Sequence, residues 1–175
     1  MRLKSILLLL SIMTVNISLF SQEDKAFFQL VDDPQIDITA TSTTSFKSIK
    51  VEVSNFGDEA VNIHFPYGGV FINLDSTEQN LVVLFSDKIY VDAGKANSVL
   101  IGTACANPKR KAPTNNRTTW VYGYDKKLGD LIAFYHDNRA MVEMMTGAEH
   151  HNTQDKRHNY LQMCVWVYYN ADKKQ

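Results

Sequence analysis

The chain has 175 residues and a formal net charge of -1, with 18 Lys and Arg residues against 19 Asp and Glu residues. This length allows a single domain with one hydrophobic core. The slightly acidic balance provides no electrostatic attraction for nucleic acid, so we exclude a nucleic-acid-binding protein.

The N-terminus has the pattern of a secretion signal. Arg2 and Lys4 place positive charge ahead of a mostly apolar run over residues 6–20, and a polar stretch begins at Ser21. The run is short and interrupted by polar residues, which is typical of a cleaved signal peptide rather than a membrane span. We predict that residues 1–22 are removed and that the mature protein is exported, secreted or periplasmic, and has no membrane anchor. An uncleaved N-terminal anchor is the alternative.

Removal of residues 1–22 leaves one globular domain, residues 23–175, whose net charge is -3 because two basic residues are lost with the signal. Its two cysteines, Cys105 and Cys164, enter an oxidising compartment, and a disulfide between them is expected there. Since no cysteine precedes Cys105, a lipid attached at the mature N-terminus is not expected.

The first part of the domain, residues 26–122, has the pattern of short strands separated by turns. Residues 26–31 and 35–40 are predicted strands on either side of an Asp-Asp-Pro turn. The Ser- and Thr-rich residues 41–45 fit either a strand or an exposed loop.

Regular alternation of apolar and polar residues begins at Phe46. It covers residues 46–53 and resumes over 61–65, with turn-forming residues at 55–58 between the two segments. Alternation of this kind is typical of strands with one buried face. The two segments predict a β-hairpin.

Further strand-length segments follow at nearly regular spacing, and Leu81–Phe85 is a continuous apolar run typical of a strand buried on both faces. The pattern predicts a mainly β fold, an immunoglobulin-like Greek-key β-sandwich with C-terminal helices. The remaining predicted strands lie at 70–72, 89–91, 98–101 and 118–122, and Cys105 follows the third of these.

The period of the pattern changes near residue 126, and residues 126–169 are predicted to be helical and packed at one edge or end of the sandwich. A first helical stripe is formed by Leu128, Leu131, Ile132 and Tyr135, which lie at i, i+3, i+4 and i+7. A second helical face is predicted at Met141, Val142 and Met145, with Gly147 as its C-terminal cap. A third helix is predicted at Tyr160–Tyr169, apolar on all sides and therefore buried, with Asn159 as its N-cap.

The segment Leu161–Trp166 has the sequence Leu-Gln-Met-Cys-Val-Trp. It resembles the Thr-Gln-x-Ala-(Ile/Val)-Trp signature of thioester domains, which are surface modules of adhesins. Gln162, Val165 and Trp166 match that signature, whereas Leu161 replaces its threonine and Cys164 its alanine. The resemblance implies that Cys105 is joined to Gln162 through an intramolecular thioester.

A thioester forms when a thiol attacks a carboxamide carbon and ammonia leaves, which requires the two groups to be held in near-attack geometry. Trp166, Tyr168 and Tyr169 are the aromatic residues expected to shield the bond from water. The resemblance thus implies covalent capture of an amine or hydroxyl on a partner surface. The alternative is that Gln162 is an ordinary helix residue that bonds a nearby backbone group.

Cys164 lies two residues from Gln162, so Cys105 is also a candidate partner for a disulfide with Cys164. One sulfur cannot form both bonds at once. The disulfide would close a loop of about 60 residues and add about 4 kcal/mol of stability in the chain-entropy model. We prefer the disulfide over the thioester.

Histidines offer another kind of site. The candidate zinc ligands are His136, His150, His151 and His158, although their spacing matches no zinc motif and adjacent histidines point apart. A solvated polar loop is therefore the expected role, and no cofactor is predicted. A cysteine hydrolase that pairs Cys105 with His136 or His150 is less favoured, because the local signatures of that chemistry are missing.

The basic residues Lys109–Lys111 lie between two prolines in a stretch with loop composition, which favours a solvated loop. The sequence as a whole favours an exported binding or adhesion-type domain for a partner outside the cell or on a cell surface, with or without a thioester. The alternatives are a secreted or periplasmic enzyme that uses the histidines or Cys105, and a structural assembly subunit.

Overall fold

The computed structural model describes residues 24–43, 47–113, 120–145 and 154–171. Several sequence predictions concern residues outside these ranges. They are the signal peptide, the predicted strand residues at 44–46 and 118–119, the cap at Gly147, and the candidate zinc ligands His150 and His151.

Within the described residues, nine strands form two sheets, so the mainly β prediction is confirmed. The larger sheet has the order β2-β3-β8-β6-β5-β9 and is antiparallel throughout, and the smaller has the order β1-β4-β7, with β1 parallel to β4. The strands are β1 Lys25–Ala26, β2 Ile36–Ser42, β3 Ser48–Asn55, β4 Val61–Phe65, β5 Gly69–Asn73, β6 Leu81–Val83, β7 Asp87–Val91, β8 Ala96–Cys105 and β9 Trp120–Tyr124.

The main hydrophobic core lies between the two sheets. Strands β2–β9 contribute alternate side chains, so that in β3 the buried residues Ile49, Val51 and Val53 alternate with partly or fully exposed ones. Ile63 and Phe65 of β4 pack into the same core from the smaller sheet. The alternation predicted which faces are buried, and these faces are the ones that meet.

The predicted hairpin between β3 and β4 is wrong, because the two strands belong to different sheets. β3 pairs with β2 and β8, whereas β4 pairs with β1 and β7. The Asn55 side chain donates to the carbonyls of Glu59 and Val91, at 2.8 and 3.2 Å, and so fixes the chain where it crosses from one sheet to the other. Alternation specifies the buried face of a strand but not the neighbour that it pairs with.

A second prediction fails at the start of the domain, where residues 26–31 do not form a strand. After the two residues of β1 the chain forms a short 3-10 helix, Phe27–Gln29. This turn places the Phe27 ring between Phe65 and Phe71, at centroid distances of 5.0 and 5.1 Å. The aromatic contacts explain why an apolar segment is buried without extending the sheet.

Three helices follow the strands, as predicted, and cover the face of the larger sheet that is turned away from the main core. They are α1 Lys126–Asp137, α2 Arg139–Met145 and α3 Gln154–Ala171. A second core lies beneath them, in which Leu128 and Ile132 of α1 and Leu161 and Val165 of α3 pack on residues of β5, β6 and β8 and the segments that follow them. In the part of the chain that the structure describes, no helix is both long and apolar enough to cross a membrane.

The predicted limits and faces of the helices need three corrections. α3 begins at Gln154, so Asn159 lies inside the helix and is not its N-cap. Leu131, assigned to the buried stripe of α1, is 47% exposed. Met163 and Val167 of α3 are 62% and 68% exposed, so this helix is not buried on all sides.

The first helix approaches the sheet closely at a pair of glycines. Gly68 has φ of +77°, and a Cβ there would lie 2.6 Å from backbone atoms of Asp125 and Gly129. Asp125 is the N-cap of α1, since its side chain accepts a hydrogen bond from the Leu128 N–H at 3.0 Å. The missing side chain at Gly68 allows the start of α1 to rest directly on the turn before β5.

The two edges of the larger sheet are linked by one side chain. Tyr122 of edge strand β9 donates its hydroxyl hydrogen to the carbonyl of Ile38 in edge strand β2, at 2.8 Å. The Tyr122 ring packs against the main core. The larger sheet is therefore curled so that its first and last strands approach each other.

Ile63 has no exposed surface and lies in the main core, so Ile63→Ala should lower the free energy of unfolding by about 2–5 kcal/mol, through lost burial and the cavity left behind. Asn62→Ala, at the adjacent half-buried position of β4, is the matched control and should change it by less than about 1 kcal/mol. Denaturant unfolding measures both. Equal effects of the two substitutions would contradict the assignment of Ile63 to the inter-sheet core.

Candidate functional site

The end of β8 extends beyond the strand that should pair with it. β3 begins at Ser48, which lies opposite Gly102, and the Thr103 N–H donates to the carbonyl of Lys47 at 2.9 Å. Past this point no strand lies on the β3 side of β8 in the described residues. Thr103 and Cys105 are buried, and the carbonyl of Thr103 and both backbone groups of Cys105 on that side need other partners.

Two side chains of α3 supply these partners. The Gln162 Oε1 accepts from the N–H of Cys105 at 2.8 Å, and its Nε2 donates to the carbonyl of the same residue at 2.7 Å. The His158 Nε2 donates to the carbonyl of Thr103 at 2.6 Å. His158 and Gln162 lie four residues apart, on one side of the helix, and match alternate residues of the strand. We call His158 and Gln162 the β8 clamp.

The structure thus brings the thioester candidates Cys105 and Gln162 together, but Gln162 contacts the backbone of Cys105 and not its thiol. The Cys105 side chain packs in the core between the sheets, whereas its neighbours Ala104 and Ala106 face the helices. Burial raises the pKa of the Cys105 thiol to about 11, so its nucleophilic thiolate form is rare. Both polar atoms of the Gln162 carboxamide already bond the backbone.

The aromatic residues proposed as shields have different positions. Tyr168 donates its hydroxyl hydrogen to the Asp125 Oδ1 at 3.0 Å and so binds the start of α1. The Tyr169 ring lies edge-on to the Tyr168 ring, with a centroid distance of 5.3 Å. Trp166 is half-buried and lies one turn after Gln162 on α3.

The expected disulfide is not formed, because Cys105 and Cys164 are both free thiols. Cys105 faces the space between the sheets, and Cys164 lies in the helical layer, where it interacts with the Tyr160 side chain one turn earlier. Burial raises the pKa of Cys164, and the hydrogen bond with Tyr160 opposes this shift. The Cys105 thiol thus lies on the inter-sheet side of the larger sheet, whereas Cys164 lies in the helical layer on the other side.

The described histidines of the predicted zinc cluster also serve helix–sheet contacts. His136 of α1 donates from Nε2 to the carbonyl of Leu84 at 2.9 Å and stacks on Tyr67, with a centroid distance of 4.8 Å. His158 belongs to the β8 clamp, and its burial lowers its pKa, which favours the neutral ring that donates one N–H. Among the described residues, no group of three or more His, Cys, Asp or Glu side chains could hold a metal ion.

A cleft of about 390 Å³ opens beside the clamp. An ion pair between the Lys47 Nζ and Asp155 Oδ1, 2.9 Å apart, joins the segment before β3 to the first turn of α3. The lining residues of the cleft are Lys47, Ser48, Phe85, Leu100, Gly102, Asp155 and His158.

The predicted dyad of Cys105 and His136 is not assembled, since the Cys105 side chain lies between the sheets and His136 bonds to the Leu84 carbonyl on the helical side.

Sequence reasoning identified Gln162 and His158 but not their common role. The available signal was their spacing of four residues within a helix whose other inward residues, such as Leu161 and Val165, are apolar. Polar residues on the buried side of a helix are expected to form hydrogen bonds with buried backbone groups of the element on which the helix packs. Comparison of the chain with family models, curated proteins and solved structures found no match.

Gln162→Ala should lower the free energy of unfolding by about 2–5 kcal/mol, because it leaves the buried N–H and C=O of Cys105 without partners. Met163→Ala is the matched control, since Met163 follows on the same helix but is 62% exposed. It should change stability by less than about 1 kcal/mol. A Gln162→Ala variant as stable as the control would show that the clamp does not hold α3.

Because both cysteines are free thiols, the intact mass under non-reducing conditions should equal the mass calculated from the sequence. A disulfide would lower this mass by two hydrogens, and a thioester would lower it by one ammonia. In the folded protein at pH 8, iodoacetamide should modify the half-exposed Cys164 before Cys105, of which about one part in a thousand is thiolate. Unfolding should make the two rates similar. Loss of two hydrogens would establish the disulfide instead, and loss of ammonia together with methylamine incorporation at Gln162 would establish the thioester.

Proposed function

We propose that this chain is an exported binding domain that engages a partner protein non-covalently through the outer face of α3. One observation carries the proposal. The exposed stripe of α3 consists of Asn159, Met163, Val167 and Asn170, and from His158 to the end of the helix there is no charged residue. Solvent-facing sides of helices usually carry charged and polar residues, so a stripe with no charge and with the exposed apolar residues Met163 and Val167 at its centre is unusual. We call these four residues the α3 stripe.

The composition of the α3 stripe suits a protein partner. Cores of protein interfaces are depleted in charged residues and enriched in methionine, whose flexible side chain adapts to different surfaces. The other two helices add exposed apolar side chains to the same layer of the domain. These are Leu131 and Phe134 of α1 and Met141, Met144 and Met145 of α2.

Non-covalent binding is favoured over the other functions that the sequence suggested. A thioester would require Gln162 to give up two backbone bonds and the Cys105 thiol to leave the inter-sheet core. In His136 and His158 the Nε2 atom is already bonded to a backbone carbonyl, and the remaining ring nitrogen of His158, Nδ1, is buried, which does not favour an enzyme that uses these histidines. A thioester would undo contacts that join α3 to the sheet.

Two further parts of the proposal follow from the pattern of the chain. Export is supported by the charge-then-apolar N-terminus. An immunoglobulin-like Greek-key arrangement is supported by the crossing from β3 to β4 between the sheets, together with the pairing of β3 with the distant β8. By analogy with other sandwiches of this kind, the fold supports a binding surface on a rigid framework.

A photo-crosslinking residue tests the proposed interface in the full chain expressed in its native host. Placed at Met163, it should give one discrete adduct with another protein, and Val167→Glu in the same chain should remove that adduct by adding a charge to the contact. The matched control is the same residue at Tyr90, which is 49% exposed on the smaller sheet and should give no such adduct.

Three results would contradict this function. An adduct only with a second copy of the chain would favour a structural assembly subunit. An adduct only with lipid would favour a membrane contact. Equal adducts from Met163 and Tyr90 would mean that the α3 stripe has no special role.

A further inference from the structure

The connection after β8 places three positive charges at one exposed turn. Lys109, Arg110 and Lys111 are consecutive and all exposed. Within the described part of the chain, no carboxylate forms an ion pair with any of them. We call these three residues the basic turn.

The basic turn is fixed in place by a buried side chain. The Gln79 Nε2 donates to the carbonyl of Arg110 at 2.9 Å, and the Gln79 N–H donates to the carbonyl of Lys111 at the same distance. The N–H of Lys111 in turn donates to the carbonyl of Thr77 at 3.1 Å. Gln79 is only 8% exposed, so these bonds are protected from water. The backbone of the basic turn is therefore held in one conformation.

The segment that precedes the basic turn, residues 105–107, is also fixed by hydrogen bonds. The N–H of Ala106 donates to the carbonyl of Asn80 at 2.8 Å, and the N–H of Arg110 donates to the carbonyl of Asn107 at 3.0 Å. Cys105, immediately before this segment, is bonded by Gln162 of the β8 clamp. The three charged side chains thus project from a backbone whose conformation is already set, which reduces the entropy lost on binding.

We propose that the basic turn binds the sulfate or phosphate groups of an extended anionic polysaccharide. Guanidinium and ammonium groups are the usual protein ligands of such anions. The mature domain carries a net charge of -3, so the attraction is local to the turn and not a property of the whole surface. The acidic residue in the adjacent turn, Asp75, accepts hydrogen bonds from the N–H and hydroxyl of Thr77 at 2.8 and 2.7 Å, which lower its pKa, and the charge of Lys111 lowers it further. Asp75 therefore offsets part of the charge of Lys111, whereas no described carboxylate pairs with Lys109 or Arg110.

A soluble polymer fits the turn better than a membrane surface. Membrane-binding segments usually combine basic residues with large apolar side chains that enter the lipid. The residues that flank the three charges are Asn107, Pro108, Ala112 and Pro113, none of which is a large apolar residue of that kind. This surface comprises different residues from the α3 stripe, so either proposal can fail without the other.

The test measures binding of the full mature chain to heparin, with uncharged dextran as the reference polymer. Replacement of Lys109, Arg110 and Lys111 by Gln should weaken heparin binding at least about tenfold, because the local charge is lost. The matched control replaces the exposed Lys25, Lys95 and Lys127 by Gln, which removes the same total charge elsewhere. It should weaken binding by less than about twofold.

A second variant tests whether heparin affinity depends on the fixed backbone of the turn as well as on its charge. Gln79→Ala keeps all three charges but removes the bond to the Arg110 carbonyl, so heparin affinity should fall while the protein remains folded, as checked by its circular dichroism. If this variant does not fold, Arg110→Gln tests the contribution of one charge of the turn, with Lys95→Gln as its control. Equal losses from the two triple variants, or unchanged affinity in Gln79→Ala and Arg110→Gln, would overturn the proposal. Tighter binding to phosphatidylglycerol vesicles than to heparin would overturn the choice of a polysaccharide.

Discussion

The architecture depends on how the unpaired end of β8 is completed. A buried strand edge without hydrogen-bond partners would cost several kcal/mol, and β3 is too short to cover Thr103 and Cys105. His158 and Gln162 act in place of a neighbouring strand, and because both are on α3 the helical layer becomes part of the sheet's own hydrogen bonding. The second core and the outward direction of the α3 stripe both follow from α3 being held in this position.

The fold class could be predicted from the sequence because a period of two or of 3.6 residues reflects a purely local constraint, namely which side of the backbone is buried. The strand pairing could not, as β3 and β4 show. Both have ideal alternation, and both bury the face that was predicted, yet they are in different sheets. Partner choice depends on contacts distant in sequence, such as Asn55 with the Val91 carbonyl, which leave no periodic signal. The aromatic packing of Phe27 is equally non-local.

The candidate site was predictable as a set of residues but not as a chemistry. Gln162 and Cys105 were selected because their types suit acyl transfer, and the structure does bring them together. Gln162, however, binds the main chain of Cys105. Side-chain types in the sequence give no information about which backbone groups lack a partner. His158 was selected as a potential zinc ligand, whereas its ring serves as a donor to a carbonyl. In both cases, residue type indicated what the groups are able to do, and burial decided what they do.

The bond between Tyr122 and Ile38 also bears on how copies of this chain meet one another. A free strand edge presents unpaired carbonyl and amide groups, to which an identical edge of another molecule can add and begin an open-ended aggregate. In β2 the carbonyl of Ile38 is already occupied by a hydroxyl from the opposite edge of the same sheet. Growth by edge-to-edge addition is thereby hindered at β2 in concentrated solution, and the exposed charge of Asp37 on the same strand acts in the same direction.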